Sequence, residues 1–149
     1  MIELLIGTWK LISLVDIPEG GEPEYPHGKS PKGILTYTPE GYVSVHIMTN
    51  PFPEVDTLST KTPADKWKEV FDSYVAYFGT YSIDAIDMIV VHHVEGSNWP
   101  EFIGTSQRRR FRYSADRLIF FGEYTRTGTK YTYERLFERI TTIHPVAPT

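Results

Sequence analysis

Residues 32–48, "KGILTYTPEGYVSVHIM", decide the fold of this chain. Two runs rich in β-branched and aromatic residues flank "TPEGY", whose proline and glycine are typical of a tight hairpin turn. Within "YVSVHIM" successive side chains differ in character, as expected where they point to opposite sides of a strand. The stretch therefore predicts two antiparallel strands, near 32–38 and 41–49.

The same pattern recurs on both sides of this hairpin. Further strands are predicted near 7–16, 80–84, 88–95, 104–113, 116–124 and 129–140, and a long Pro/Gly loop lies at 18–33. Eight strands in up-and-down order can close into a barrel, which removes exposed sheet edges. The sequence thus predicts an all-β antiparallel barrel forming a single domain over 1–149, with 144–149 as a loose end.

One segment departs from the strand pattern. Residues 63–79, "PADKWKEVFDSYVAYFG", carry apolar side chains at helical spacing, with Thr62 as a candidate N-cap and Gly79 as a candidate C-terminal stop. This predicts a single amphipathic helix that covers one mouth of the barrel or lies on its flank. In the first arrangement Tyr74, Tyr77 and Phe78 would contact the molecule held in the barrel.

Composition and missing motifs exclude several classes of function. The 149 residues include no cysteine and have a net charge of −4, which removes thiolate chemistry and any general attraction to nucleic acid. Neither a signal peptide nor an 18-residue apolar segment is visible, so we expect a cytoplasmic protein without a membrane partner. Paired metal-ligand spacings and nucleotide-binding glycine motifs are missing, so we expect no metal or other cofactor. Haem would need a proximal histidine such as His46 or His144. A homodimer is possible.

Several motifs resemble a known family. "GTWKL", with Gly7 and Trp9 spaced as G-x-W, resembles the first strand of calycin barrels, whose tryptophan plugs the closed end under an arginine of the last strand. Arg139 in "LFERI" suits that role. Together with "YTPEGYVSV", "YFGTY" and "HHVEGS", the chain is similar over almost its whole length to the small lipocalin-like domain proteins of bacteria and fungi. The resemblance implies a calycin-type barrel, a fold that hosts unrelated functions.

Alternation predicts which side chains of residues 42–48 share a side, and a further argument is needed to choose the inner side. One side carries three β-branched residues, and the other carries Ser44, His46 and Met48. We place the second side in the lumen, because a barrel of this type holds a ligand and the helix can cover part of the outside. The resemblance agrees, since the family commonly has a polar residue at the position of His46.

The adjacent histidines His92 and His93 must point to opposite sides of their strand. Because Glu95 makes the His93 side more polar, we place His92 inside. The same alternation leaves Arg108 and Arg110 in solvent, although the family motif usually has an apolar residue at 108. The remaining inward candidates on the last three strands are Gln107, Arg109, Phe111, Tyr124, Tyr131 and Tyr133.

These assignments predict a site for acid/base chemistry in an aromatic cavity. Two imidazoles would move protons while Arg109 and tyrosines hold an oxyanion. The predicted catalytic residues are His46, His92, Arg109 and Tyr133, and the predicted ligand-binding residues are Ser44, Met48, Tyr74, Tyr77, Phe78, Tyr81, Trp99, Gln107, Phe111, Tyr124 and Tyr131.

The leading hypothesis is a cofactor-free isomerase, cyclase or dehydratase that acts on a hydrophobic, oxygenated natural product. Three alternatives stay open. The barrel could be a non-catalytic carrier or sensor, or a structural domain with a filled core. In addition, Arg109 could be satisfied internally by Glu123 or Glu134, which would remove the need for a ligand.

Overall fold

The computed structural model describes residues 4–141, so His144 and the tail predicted at 144–149 lie outside the described residues. Its main elements within these residues are eight strands, one α-helix and a 3₁₀ turn. The strands are β1 (Gly7–Pro18), β2 (Lys32–Tyr37), β3 (Tyr42–Met48), β4 (Tyr74–Asp84), β5 (Ile89–Ser97), β6 (Ser106–Ser114), β7 (Arg117–Arg126) and β8 (Thr129–Arg139); the helix α1 is Ala64–Asp72, and the 3₁₀ turn is Pro100–Phe102.

The strands close into an antiparallel barrel in which each strand pairs with the next and β8 returns to β1. The predicted hairpin is present, with Ile34 opposite His46 and Tyr37 opposite Val43. A register shift between Leu11 and Ser13 in β1 inserts one residue. The all-β barrel predicted from the strand pattern is thus confirmed.

The helix predicted over residues 63–79 is longer than the helix that the structure shows. Helix α1 ends at Asp72, and residues 74–79 belong to β4, whose residues 74–80 pair with all of β3. The sequence "YVAYFG" fits helical spacing, but its alternation of Val75 and Tyr77 with exposed neighbours fits a strand equally well. Pairing with β3 satisfies the backbone of both strands, and that tertiary contact overrides the local helical preference. Thr62 makes no cap, since the N-cap position is Pro63.

One end of the barrel is plugged by Trp9. Its indole is fully buried and donates to the Leu5 carbonyl at 2.9 Å. The Arg139 guanidinium lies 4.2 Å above the indole ring and donates to the carbonyls of Leu4 and Ile6, each at 2.7 Å. Gly7 has φ +130°, and a Cβ there would lie 2.8 Å from Arg139 Nη1, so the close approach requires glycine. The arrangement implied by the G-x-W motif is present.

The opposite end carries the long connections. Antiparallel pairing brings the end of β1, the start of β4 and the end of β5 to this end of the barrel. The loop at 19–31 is tied back by two backbone hydrogen bonds between Asp16 and Glu24. Helix α1 contacts the barrel through Phe71, which stacks on Trp99 at 6.2 Å. We call this the open end. No helix within residues 4–141 is long and apolar enough to cross a membrane.

Candidate functional site: the interior cavity

A cavity of about 510 Å³ lies inside the barrel and reaches the open end. Inward side chains of β1 to β4, β7 and β8 form its apolar wall, and Pro26, His27, Trp99 and Phe102 border it from the open-end loops. The apolar wall is made mainly of Leu14, Leu35, Val45, Ile47, Val75, Phe120 and Phe137. The barrel therefore has room for a small molecule, and the filled-core alternative does not describe it.

His92 is held between two tyrosines in the wall of this cavity. The imidazole is 2% exposed, and its Nε2 and Nδ1 each lie 2.6 Å from a hydroxyl, those of Tyr37 and Tyr77. A neutral imidazole has one N–H donor and one acceptor nitrogen, so it donates to one tyrosine and accepts from the other. Strands β2, β4 and β5 supply these three groups, which form a connected polar chain in an apolar surrounding.

Burial keeps His92 uncharged. Desolvation, and then the positive charge of Arg109, lower its pKa to about 3. Burial raises the pKa of Tyr37 and of Tyr77, and the Arg109 charge opposes both shifts. All three groups are therefore neutral near pH 7. His92 points inward, as predicted, but it is a neutral imidazole hydrogen-bonded to two hydroxyls and is not a free base.

Arg109 enters the cavity from β6. Gln107 accepts from Arg109 Nη2 at 3.4 Å, and the Gln107 amide is itself fixed by Thr105 at 2.7 Å. Among residues 4–141 no carboxylate lies within ion-pair distance of Arg109. The two internal partners considered from the sequence pair elsewhere, Glu123 with Lys130 at 3.1 Å and Glu134 with Arg112 at 2.8 Å. Arg109 is thus a cation facing a cavity without an anionic partner in the described chain.

A second polar cluster lies nearer the open end. The buried carboxylate of Asp16 accepts from Arg135 at 2.6 Å and from the Tyr124 hydroxyl at 2.7 Å. Burial and the bond to Asp16 raise the pKa of Tyr124 to about 12. Asp16 and Arg135 were missed in the sequence, although the alternation of β1 and β8 places each on an inward side. Their pairing joins residues 119 positions apart, which no local pattern reveals.

Two further residues border this cluster. Tyr133 lines the cavity, with the Arg135 guanidinium 4.8 Å from its ring centre. The Tyr133 ring covers Gly122, where a Cβ would lie 2.8 Å from the hydroxyl oxygen. His27 in the loop at 19–31 contacts Thr49 Oγ1 through Nδ1 at 2.8 Å. Burial and the nearby Arg135 lower the pKa of His27, while Asp16 opposes that shift.

The assignment of the polar side of β3 to the lumen is wrong. Val43, Val45 and Ile47 face inward, and Ser44, His46 and Met48 lie on the outer surface. His46 contacts the Tyr74 hydroxyl at 3.0 Å there and, with Met48, borders an external groove of about 810 Å³. The β-branched side packs inward because it loses no hydrogen bonds to water on burial. His46 and His92 are therefore on opposite sides of the wall.

The other predicted ligand contacts divide into three groups. Tyr77 and Trp99 line the cavity, and Gln107 fixes Arg109 beside it. Tyr74 and Phe78 lie outside, Phe78 being 55% exposed, because residues 74–79 form a strand. Three inward residues pack around the cavity without bordering it: Tyr81, Phe111 and Tyr131.

Trp99 has a special position at the rim. It lies between Phe71 of α1 and Phe102, with ring centres 6.2 and 5.7 Å away. Its buried indole N–H has no hydrogen-bond partner in the part of the chain that the structure describes. The indole thus joins the helix to the cavity wall, and it offers an intrinsic fluorescent reporter of that wall.

The described side chains contain no cluster of three histidine, cysteine, aspartate or glutamate residues that could hold a metal ion. His93, the outward neighbour of His92, contacts Ser82 and Ser106 at 3.2 and 3.0 Å. The two adjacent histidines thus lie on opposite sides of the barrel wall. The chemistry available to the cavity from the described side chains is that of two imidazoles, several phenols, two paired carboxylates and two guanidiniums.

Comparison with known protein families identifies the family of the chain. The family model described as a lipocalin-like domain matches residues 6–138, which includes all eight strands except the last residue of β8. No functionally curated protein is detectably similar to the chain.

Proposed function

The chain belongs to the lipocalin-like domain family, and we propose that its barrel binds a small, largely apolar, oxygenated molecule in the interior cavity. The observation that carries the proposal is the cavity of about 510 Å³ with an apolar wall and a few convergent polar groups. Such a combination is typical of small-molecule sites in proteins. The polar groups Tyr77, His92 and Arg109 lie together on one wall and would orient an oxygen atom of the ligand.

The direct test uses the neutral dye N-phenyl-1-naphthylamine, which fluoresces in apolar sites. Val75→Phe, which narrows the cavity, should weaken dye binding, and energy transfer from Trp99 should fall with it. Ile34→Glu is the matched control, because Ile34 faces the external groove that competes for apolar ligands. Circular dichroism checks that both variants are folded. Binding that survives Val75→Phe but is lost in Ile34→Glu would place the site outside the barrel and contradict the proposal.

A second candidate function is cofactor-free catalysis of an isomerisation, cyclisation or dehydration. The observation that favours it is the hydrogen-bonded series Tyr77–His92–Tyr37 beside Arg109. Arg109 would stabilise an enolate oxygen, and the Tyr77 hydroxyl would give a proton to the substrate. His92 would return a proton to Tyr77 through one nitrogen and receive one from Tyr37 through the other. In an isomerisation the enolate, protonated at one carbon by Tyr77, would then lose a proton from another carbon to the Tyr77 oxygen. The reverse transfers would carry a proton through His92 back to Tyr37, so proton balance is kept.

Catalysis and carriage differ in a measurable way. We expect a catalytic site to accelerate exchange of the α-protons of 2-tetralone in D₂O, followed by NMR. Tyr77→Phe should lower the rate by about 10²-fold or more while dye binding is retained, because a proton donor at the reacting atom contributes on that scale. Exchange at the uncatalysed rate in the wild type, with normal dye binding, would leave a carrier or sensor as the function.

A further inference from the structure

The charges inside the barrel do not balance. Two guanidiniums, those of Arg109 and Arg135, reach the cavity. Among the described side chains, one buried carboxylate, that of Asp16, borders it. Asp16 is fully engaged, since one oxygen accepts from Arg135 at 2.6 Å and the other from Tyr124 at 2.7 Å. Glu123, at the rim, is exposed and paired with Lys130. The Asp16–Arg135 pair is neutral as a unit, which leaves the charge of Arg109.

The neighbours of Arg109 cannot supply the missing negative charge. Arg109 hydrogen-bonds the hydroxyl of Tyr77, which is neutral, and Gln107 offers a neutral amide oxygen at 3.4 Å, a long contact for a charged donor. His92, Tyr37 and Tyr77 are neutral near pH 7, since burial disfavours the charged form of each. A guanidinium has five N–H donors in a planar fork that fits a carboxylate in bidentate fashion. Arg109 therefore presents unused donors to a partly enclosed space.

We propose that the ligand is an organic monoanion whose carboxylate or enolate oxygen binds Arg109 while its apolar body fills the cavity. This rests on the proposed binding function and specifies its ligand class. A cation would meet the uncompensated guanidinium, and a neutral apolar molecule would leave its donors without an acceptor. The body of the ligand would lie against Val45, Ile47, Val75, Phe120 and Phe137. An amphipathic acid, aliphatic or aromatic, satisfies both parts of the site.

The experiment compares matched anionic and neutral ligands by displacement of N-phenyl-1-naphthylamine. The pairs are dodecanoate with dodecanol, and 2-naphthoate with 2-naphthalenemethanol. In the wild type each acid should displace the dye at about 10–100-fold lower concentration than its alcohol, the range expected for hydrogen bonds to a charged group. Arg109→Met should remove that preference by weakening the binding of the acids far more than that of the alcohols. Arg109→Lys, which keeps the charge but loses the fork, should restore part of it.

Arg108→Met is the matched control, because Arg108 is the next residue of the same strand and points to solvent. It should keep the full preference for acids, which separates a local effect from a change in net charge. Dye binding by Arg109→Met shows that this variant is folded.

Two outcomes are decisive against the proposal. Equal displacement by acid and alcohol in the wild type, with normal dye binding, would overturn the anion assignment and leave small-molecule binding intact. An acid preference that Arg108→Met removes and Arg109→Met keeps would overturn the role of Arg109. Failure of the wild type to bind the dye or any of the four ligands would instead reject the proposed function itself.

Discussion

Arg139 and Arg109 both point into the barrel, and their surroundings differ in an informative way. At the closed end, Arg139 covers the Trp9 ring and donates to two backbone carbonyls. In the cavity, Arg109 hydrogen-bonds the neutral Tyr77 hydroxyl and has a long contact to the Gln107 amide, so it meets no backbone carbonyl pair and no carboxylate among the described residues. A guanidinium whose donors are met by the chain itself stabilises the fold. One whose donors are unmet costs stability, and its presence is explained by a ligand.

The largest effect on stability is expected at the closed end. Trp9→Ala should lower the free energy of unfolding by about 3–5 kcal/mol, because it empties the space of a fully buried indole. Urea denaturation followed by circular dichroism measures this change. Trp67→Ala is the control, since Trp67 lies half-exposed on α1, and it should cost about 1 kcal/mol or less. A comparable loss in both variants would mean that Trp9 does not plug the barrel.

The two arginines themselves give the next prediction. Arg139→Met should destabilise the protein by about 2–3 kcal/mol, because two carbonyls lose their donor and the stacking on Trp9 is lost. Arg109→Met should change stability by less than about 1 kcal/mol, or raise it, since no ion pair is broken. Paired urea titrations without ligand check this. Equal destabilisation would show that Arg109 has a structural role and would weaken the ligand argument.

A smaller effect, on the pH dependence of the free energy of unfolding, is expected from His92 in the cavity wall. His92 has a pKa of about 3 in the folded protein against an ordinary value of 6.5, so the unfolded state binds the proton more readily. Its stabilising contribution is therefore complete above pH 6.5 and is lost as the pH falls towards 3, by at most about 1.4 kcal/mol per pH unit. His92→Gln, which can offer one donor and one acceptor, should show a weaker decline in stability between pH 7 and pH 5.

His27→Gln should weaken the same decline to a smaller extent, because its pKa is lowered in the same direction. The outward His46, replaced by glutamine, serves as the control for loss of a histidine on the opposite side of the wall. A pH profile of His92→Gln identical to that of the wild type would contradict a buried neutral imidazole.

The predictions of which side of β3 and of β5 faces the lumen succeeded or failed for one physical reason, the cost of burying polar side chains. On β5 the side with His92 is otherwise apolar, and it faces inward. On β3 the apolar side also faces inward, and the prediction failed because an expected ligand was given more weight than the cost of burying Ser44 and His46. Alternation states which residues share a side, whereas the energy of burial decides which side is inside. Applied alone, that second rule would have placed both strands correctly.

The boundary of the helix failed for a different reason. Residues 74–79 carry both a helical and a strand pattern, so the local sequence supports two structures of similar stability. Pairing with β3 selects the strand, and this moves Tyr77 into the wall beside His92 while Tyr74 and Phe78 move outside. The site therefore depends on a contact between segments that the local pattern does not connect.

The sequence by itself determined the barrel, the plug formed by Trp9 and Arg139, and the inward direction of His92 and Arg109. The barrel and the inward directions follow from turn residues, strand alternation and the polarity of the two sides of each strand, which are local properties of the chain, and the plug follows from the family resemblance carried by the G-x-W motif. Only the tertiary structure decided that His92 is held by Tyr37 and Tyr77, that Asp16 neutralises Arg135, and that Arg109 is left without a carboxylate. Those facts are distances between residues far apart in the chain, and closure of the barrel sets them.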